Sequence, residues 1–324
     1  MEPVPAIITP DASWSGRLGA SEGPVMAVSR RSVLGFGLAV AAAGITGVGG
    51  LAATGKLDRA ESAARRRFEG DGPNKPPPDV PTGGLVTGSF RSAAMNDADV
   101  AYAVSYPPGS PTDAQLPVVL ELYGRGNNHL TPFADSDLAL GKFQSAVVAA
   151  GARPFAIATV DAGPASYWHK RASGIDPQLM ILREYLPLLA KRGLRVDTFA
   201  LHGESMGGYG ALLLAQRVGN GRVVAVAVDA PAIFRRAADT APGAFDGPAD
   251  FAAHDVMADS AKLAGIPTRI VCGSLDPFYA AVKAFVALPH SPHIETAYGK
   301  AGHSPAYWRS ETAAQLGFLN RYLS

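Results

Sequence analysis

The stretch Gly203-Glu204-Ser205-Met206-Gly207 places a serine in a G-x-S-x-G pattern. The apolar run Val196–Leu201 before it is typical of a buried strand, and residues 206–218 have the composition of a helix. A serine on a tight turn between a strand and a helix projects its hydroxyl out of the sheet, while the flanking glycines leave room for the packed backbones. We therefore predict that Ser205 is a nucleophile, with a structural glycine-rich turn as the alternative.

A serine hydroxyl is a weak nucleophile at neutral pH, so it needs a base within hydrogen-bond reach. For a serine on this kind of turn, the expected chain order is serine, acid, histidine. His303 lies in a loop after the last predicted strand and is the predicted base. Asp276 follows the apolar strand 268–272 at the same sheet edge and is the predicted acid, with Asp229 as the alternative. The other downstream histidines are His254, His290 and His293.

Backbone N–H groups that could stabilise a negatively charged oxygen are predicted at two places. One is the N–H of Met206, directly after the serine. The other lies in the loop after the predicted strand Pro117–Tyr123, where we favour Arg125 over its neighbours Gly124 and Gly126. Glycines on both sides allow a backbone N–H to turn toward a pocket, and an ordinary glycine turn is the alternative.

Aromatic residues near these positions are candidates for substrate contact. Tyr167 and Trp168 follow the predicted strand that ends at Val160, and a solvated loop is the alternative for both. Trp308 comes shortly after His303, and packing beneath the imidazole is its alternative role.

Composition limits the classes of protein that fit the chain. The 324 residues and 47% hydrophobic content fit one large α/β domain with an appendage. The net charge of +1 does not predict nucleic-acid binding. Cys272 is the single cysteine, which excludes an internal disulfide and a multi-cysteine metal site, and we predict no metal or organic cofactor. Strands that alternate with helices indicate an α/β fold with a mostly parallel sheet covered on both faces.

The N-terminal region has the features of an export signal. Arg30-Arg31 precedes an uncharged stretch between residues 32 and 55 that is rich in Ala and Gly, the pattern of a twin-arginine signal. Its length is close to the ~20 residues of a membrane span, so an uncleaved anchor is the alternative. Translation starts at Met1 or Met26. We predict an extracytoplasmic protein, either secreted or membrane-anchored.

Three regions follow from this composition. They are an N-terminal extension with the signal or anchor (residues 1–54), a Pro/Gly-rich linker (55–84) and a catalytic domain (85–324). The linker prediction rests on its charges and prolines, which do not pack a core.

The motifs resemble the α/β-hydrolase superfamily, and within it the esterase D and mycolyltransferase branch. The resemblance extends from about Leu85 to Ser324. It rests on residues 122–126, 202–208, 272–276, 302–304 and Trp308. It implies a mostly parallel central sheet with helices on both faces.

The resemblance also implies an activity: hydrolysis of a carboxylic ester by an exported serine esterase through an acyl-enzyme. Ser205 would be the nucleophile, Asp276 the acid and His303 the base, with Arg125 and Met206 as oxyanion donors. The substrate would be a small-molecule or glycolipid ester, with membrane or cell-wall association. Acyl transfer onto a sugar and a catalytically silent cell-wall binding protein are the alternatives. The mycolyltransferases commonly have Glu as the acid, and the paired cysteines of some of them are absent.

Overall fold

An eight-stranded sheet organises residues 72–289 and 294–324, the parts of the chain that this computed structural model describes. Its strands in chain order are β1 (Leu85–Ser92), β2 (Ala98–Ser105), β3 (Pro117–Leu122), β4 (Ala156–Val160), β5 (Arg195–Glu204), β6 (Val223–Asp229), β7 (Thr268–Val271) and β8 (Ile294–Ala297). The predicted export segment, residues 1–54, lies outside the described residues.

The spatial order of the strands is β1-β2-β4-β3-β5-β6-β7-β8. Strand β2 is antiparallel to both β1 and β4, and every neighbouring pair from β4 to β8 is parallel. All residues of β3 and β4 are buried, as expected for strands covered on both faces. The predicted α/β fold with a mostly parallel sheet is confirmed.

Helices make the crossovers that parallel neighbours require. The helices that lie between strands are α1 (Leu140–Ala149), α2 (Pro177–Met180), α3 (Leu186–Lys191), α4 (Met206–Val218), α5 (Pro248–Ala253) and α6 (Tyr279–Val286), whereas α7 (Pro305–Asn320) follows the last strand, β8. A π-helical turn, Ile181–Tyr185, joins α2 to α3. Within the described ranges, no helix combines the length and the apolar character that crossing a membrane requires.

Helix α7 begins six residues before Glu311, where the apolar pattern predicts the terminal helix. The side chain of Ser304 caps the helix by accepting a hydrogen bond from the N–H of Tyr307, and Pro305 occupies the first helical position. This early start puts His303 directly before the cap. It also puts Trp308 in the first turn, next to the imidazole.

The predicted linker is described from Gly72 onward, and this part of it contacts the domain. No helix or strand forms between residues 72 and 84. Arg309 of α7 donates from Nε to the carbonyl oxygen of Lys75 (3.0 Å) and from Nη2 to Oδ1 of Asn74 (2.8 Å). The N–H of Tyr106 donates to the carbonyl oxygen of Gly84 (2.8 Å). Residues 72–84 are therefore part of the domain surface.

Candidate active site

Ser205 occupies the sharp turn between β5 and α4, with φ 55° and ψ −114°. A positive φ is uncommon for serine, and such a conformation persists only where the surrounding structure holds it. Three backbone hydrogen bonds hold this one. The N–H of Ser205 donates to the carbonyl oxygen of Asp229 (2.8 Å), and its own carbonyl oxygen accepts from the N–H groups of Tyr209 (3.0 Å) and Ala232 (2.9 Å).

The two glycines of the motif are required by close packing. A Cβ on Gly207 would lie 1.6 Å from the carbonyl oxygen of Leu122 in β3. A Cβ on Gly203 would lie 2.6 Å from the backbone of Gly207. Any side chain at either position would separate the turn from β3, so the motif's spacing reflects contact between backbones.

The structure brings Ser205, His303 and Asp276 together at the carboxyl edge of the sheet. His303 Nε2 lies 2.9 Å from Ser205 Oγ, and His303 Nδ1 lies 2.7 Å from Asp276 Oδ2. The Asp276 side chain is fully buried, whereas the His303 side chain is 22% exposed. With Nδ1–H donated to the carboxylate, Nε2 has a free lone pair that can accept the serine proton.

The alternative acid Asp229 and the alternative base His254 have other partners. Oδ2 of Asp229 is 3.2 Å from Nε2 of the buried His202, so this carboxylate serves a different imidazole. Nδ1 of His254 is 3.0 Å from Oδ1 of Asp250. The remaining candidates, His290 and His293, lie outside the described residues.

Two aromatic rings flank the His303 imidazole. The ring of Trp308 meets it edge-on with centroids 4.7 Å apart, and that of Phe278 does so at 5.3 Å. Trp308 is buried, which fits packing beneath the imidazole better than the predicted substrate contact. Phe278 is half-buried, and sequence analysis missed it. Its place two residues after Asp276 was the available signal.

The predicted substrate contact of Trp168 is wrong. The residue is completely buried, and its indole N–H donates to the carbonyl oxygen of Tyr123 (3.2 Å). A Cβ on Gly210 would lie 2.4 Å from Cβ of Trp168, so the ring packs directly on α4. Tyr167 is also buried, with its ring 6.0 Å from that of Tyr209, and it too offers almost no surface to a substrate.

The loop after β3 has one N–H group available for an oxyanion. The N–H of Gly124 donates to Oε1 of Glu204, and the N–H of Gly126 donates to the carbonyl oxygen of Pro164 (2.8 Å). No acceptor for the N–H of Arg125 occurs within the described part of the chain. The N–H of Met206 is in the first turn of α4, where no intrahelical partner exists. Arg125 and Met206 thus stay the predicted donors.

Ionisable groups are buried beneath this turn. His202 hydrogen-bonds to Glu121 through Nδ1. Burial opposes the charge of His202, but Glu121 and Asp229 on either side raise its pKa well above the ordinary value. Burial, followed by the charges of Glu121 and Asp137, raises the pKa of Glu204 well above its ordinary value. Burial thus favours the protonated form of the Glu204 carboxyl group.

Comparisons with known proteins rest on structure. No protein-family model and no curated protein matches the sequence. A ferulic acid esterase superimposes with a TM-score of 0.60 at 21% identity, covering 74% of this chain and 98% of that chain. An S-formylglutathione hydrolase from Agrobacterium tumefaciens does so with a TM-score of 0.62 at 16% identity, covering 76% and 98%.

A third similar structure is the substrate-bound fluorophosphonate-binding serine hydrolase F of Staphylococcus aureus. Its TM-score is 0.58 at 16% identity, and the match covers 74% of this chain and 99% of that chain. At these identities the likeness concerns the fold. Together with the strand order and the turn at Ser205, it shows that the chain has the α/β-hydrolase fold.

Proposed function

We propose that this protein is a serine esterase that hydrolyses a carboxylic ester through an acyl-enzyme. The observation that carries the proposal is the chain of contacts from Ser205 Oγ to His303 Nε2 (2.9 Å) and from His303 Nδ1 to Asp276 Oδ2 (2.7 Å). A buried carboxylate fixes the tautomer of the imidazole and stabilises the imidazolium that forms when the serine proton is taken.

The reaction has two halves. Ser205 Oγ attacks the ester carbonyl carbon while its proton passes to His303 Nε2, and the N–H groups of Arg125 and Met206 bond to the resulting oxyanion. The tetrahedral intermediate collapses, the ester C–O bond breaks, and His303 returns the proton to the leaving alcohol. Water then attacks the acyl-enzyme with His303 as base, and the second collapse releases the acid and restores the serine hydroxyl.

The exposure of His303 supports hydrolysis over acyl transfer. Its side chain is 22% exposed, so water reaches the imidazole directly. Transfer of an acyl group to a sugar needs a site from which water is kept away until the acceptor binds. The strained turn at Ser205, φ 55°, supports an active enzyme over a silent binding protein, because a binding role has no use for that strain.

We propose an aromatic or apolar acyl group as the substrate's recognised part. Phe278 is half-buried beside His303, and the buried Phe234 packs edge-on behind it with centroids 5.6 Å apart. Such a wall suits a flat apolar group. Two structures of the same fold are described as ferulic acid esterases, one of them in complex with ferulic acid, which makes an aromatic acyl group our first choice.

We further propose that the reaction takes place outside the cytoplasm. The support is the twin-arginine-like Arg30-Arg31 and the apolar stretch that follows it. A small-molecule or glycolipid ester at the cell surface is the corresponding substrate.

The decisive experiment replaces Ser205 by alanine. We expect kcat for p-nitrophenyl acetate and methyl ferulate to fall by at least about 1000-fold, while the thermal unfolding midpoint stays unchanged. A fluorophosphonate probe should label the wild-type protein and not the variant. Full turnover in the variant, or a wild-type protein that neither labels nor turns over, would refute the esterase. A second assay with trehalose as acceptor separates acid from acylated sugar by mass spectrometry, and acid should dominate.

A further inference from the structure

His169 meets Asp250 and His254, two residues that are four positions apart in a distant part of the chain. His169 lies in the loop after β4, Asp250 lies in α5, and His254 directly follows α5. One possible ligand atom from each lies within 4.8 Å of those of the other two. Oδ1 of Asp250 is 3.0 Å from Nδ1 of His254 and 3.7 Å from Nδ1 of His169. Imidazole nitrogen and carboxylate oxygen are the usual ligands of divalent zinc.

The surroundings of His169 call for a cation. Its side chain is fully buried, Nδ1 lies 2.8 Å from the carbonyl oxygen of Lys170, and Nε2 lies 3.1 Å from that of Ala244. A neutral imidazole carries one N–H, so its other nitrogen points a lone pair at a carbonyl oxygen. If Nε2–H donates to the Ala244 carbonyl oxygen, a positive ion bound to Nδ1 beside Asp250 would use the lone pair that otherwise faces the Lys170 carbonyl oxygen.

Packing encloses the His169 imidazole, whereas the His254 imidazole reaches solvent. The ring of Phe245 stacks on His169 with centroids 4.9 Å apart and an angle of 13°. The His254 ring lies 4.3 Å from that of His169, and the His254 side chain is 24% exposed. Nδ1 of His254 also lies 2.9 Å from the carbonyl oxygen of Asp250, so this nitrogen is on the Asp250 side of the ring.

A cavity gives an ion access to the cluster. It has a volume of about 630 Å³, and both His169 and His254 line it. Two amide side chains also line it and are nearly buried, and Nε2 of Gln178 and Oε1 of Gln216 find no hydrogen-bond partner among the residues described. Water in the cavity would fill the remaining coordination positions of a metal.

We propose that His169, Asp250 and His254 bind a divalent transition-metal ion, with zinc as the best fit to two nitrogens and one oxygen. The ion fastens the loop after β4 to the segment between β6 and β7, which carries α5. This site is separate from the proposed esterase chemistry and uses none of its residues. The sequence did not predict it because the two histidines are far apart in the chain.

The test uses the full chain, stripped of metal with a chelator, then titrated with zinc chloride by calorimetry and with cobalt chloride by visible absorption. The wild-type protein should bind one ion and unfold at a higher temperature with it. His254→Ala and Asp250→Asn should each weaken zinc binding by at least about tenfold, since even partners outside the ligand shell contribute ~10–100-fold.

Two control variants separate this cluster from other histidines. His129→Ala removes a histidine that is paired with one aspartate, Asp161 (3.0 Å), and has no second imidazole in its pair. His290→Ala combined with His293→Ala removes two further histidines. Both controls should bind zinc as the wild type does.

Each outcome decides the proposal. A wild-type protein that binds no zinc overturns it, as does equal binding by His254→Ala and Asp250→Asn. If circular dichroism shows that one variant does not fold, the other decides. Loss of binding in the controls alone would place the ion elsewhere and would also overturn the proposal.

Discussion

The backbone N–H of Gly124 donates a hydrogen bond to the buried carboxyl group of Glu204, the residue directly before Ser205. Nδ2 of Asn127 reaches the same oxygen at 3.4 Å. One side chain thus links the turn of the proposed nucleophile to the loop that carries Arg125. A Cβ on Gly124 would lie 2.9 Å from Glu204 Oε1, so the loop and the Glu204 side chain are in direct contact and a residue larger than glycine would push them apart.

This link predicts different results for two substitutions of Glu204. Burial first, and then Glu121, raise the pKa of Glu204 well above its ordinary value, so the neutral Glu204→Gln variant should keep wild-type stability and kcat/KM. Glu204→Ala leaves the N–H of Gly124 unpaired, which costs about 1–3 kcal/mol of unfolding free energy. Its kcat/KM should decrease by up to about 100-fold, because the Arg125 N–H would no longer be held in place to stabilise the oxyanion. Urea unfolding measures the free energy of unfolding, and p-nitrophenyl acetate kinetics measure kcat/KM. A Glu204→Gln variant as impaired as Glu204→Ala would contradict the proposed link between Glu204 and Gly124.

Replacing Asp276 tests the buried carboxylate. Asp276→Asn keeps the shape of the side chain but favours the wrong imidazole tautomer, so kcat should fall by about 10,000-fold with little change in KM. Asp161→Asn is a matched control, because it removes the carboxylate from another His–Asp pair, that with His129 at 3.0 Å. Steady-state kinetics with p-nitrophenyl acetate should show wild-type turnover for the control. Similar rates for the two variants would remove Asp276 from the proposed mechanism.

Phe278 should govern affinity more than rate. Its ring is half-buried and edge-on to His303. We propose that the acyl group lies against this ring during attack on the carbonyl. Phe278→Ala should raise KM for methyl ferulate by about tenfold, the effect of about 1.4 kcal/mol of lost contact, with kcat little changed. Phe278→Leu keeps an apolar side chain, so its KM for methyl ferulate should lie between those of the wild type and Phe278→Ala. If KM for methyl ferulate is unaffected by Phe278→Ala, the acyl group binds elsewhere.

Local signals in the sequence were enough to predict much of the fold. Helix α4 has the predicted bounds, residues 206–218, because the turn at Ser205 and the apolar pattern mark its ends. The proximity of Ser205, Asp276 and His303 was predictable because each follows an element that ends at the same sheet edge, and their catalytic roles stay a prediction. The start of α7 was missed, since the cap at Ser304 is a stronger signal than the apolar pattern that begins later.

What sequence reasoning missed depends on contacts between distant residues. From the sequence, Trp168 is an aromatic residue in a loop. It is buried because Gly210, in helix α4, has no side chain and leaves space for its ring. The pairing of Gly124 with Glu204 joins two strand ends that are adjacent only in the sheet. Arg309 donates hydrogen bonds to Asn74 and Lys75, which lie in a segment whose prolines indicate a linker and not a part of the domain.

Asp137 should make stability depend on pH. Burial, assisted by Glu121, raises its pKa from 3.8 to about 6. Between these values the native state holds a proton that the unfolded state has lost, so the Asp137 contribution to unfolding free energy falls as pH rises from 3.8 to about 6. The shift corresponds to about 3 kcal/mol. Below this window both states are protonated, and above it the loss is complete.

Asp137→Asn isolates that contribution, because an amide does not titrate in this range. Relative to the wild type, the variant should gain unfolding free energy steadily between pH 4 and pH 6, as measured by urea unfolding at several pH values. Asp99→Asn is the control, since its side chain is 75% exposed. A constant difference between wild type and Asp137→Asn across this range would show that Asp137 titrates normally.

The anchoring of residues 72–84 predicts where the domain can be shortened. A chain of residues 72–324 keeps the acceptors of Arg309 at Asn74 and Lys75, whereas a chain of residues 85–324 loses both. Arg309 is nearly buried, so its guanidinium would be left without these partners, and the Gly84 carbonyl that accepts from Tyr106 would be lost as well. We expect the longer chain to unfold like the full-length protein.

The shorter chain should lose at least about 2 kcal/mol of unfolding free energy, because hydrogen bonds to a charged group contribute ~1.5–3 kcal/mol each. Arg309→Lys in the full-length chain is the matched test of cause: a lysine cannot hold two acceptors in the planar geometry of a guanidinium, so this variant should show part of the same loss. Hydrogen exchange should then increase between residues 72 and 84. Equal stability of the two shortened chains would restore the predicted boundary at Leu85 and make the Arg309 contacts energetically neutral.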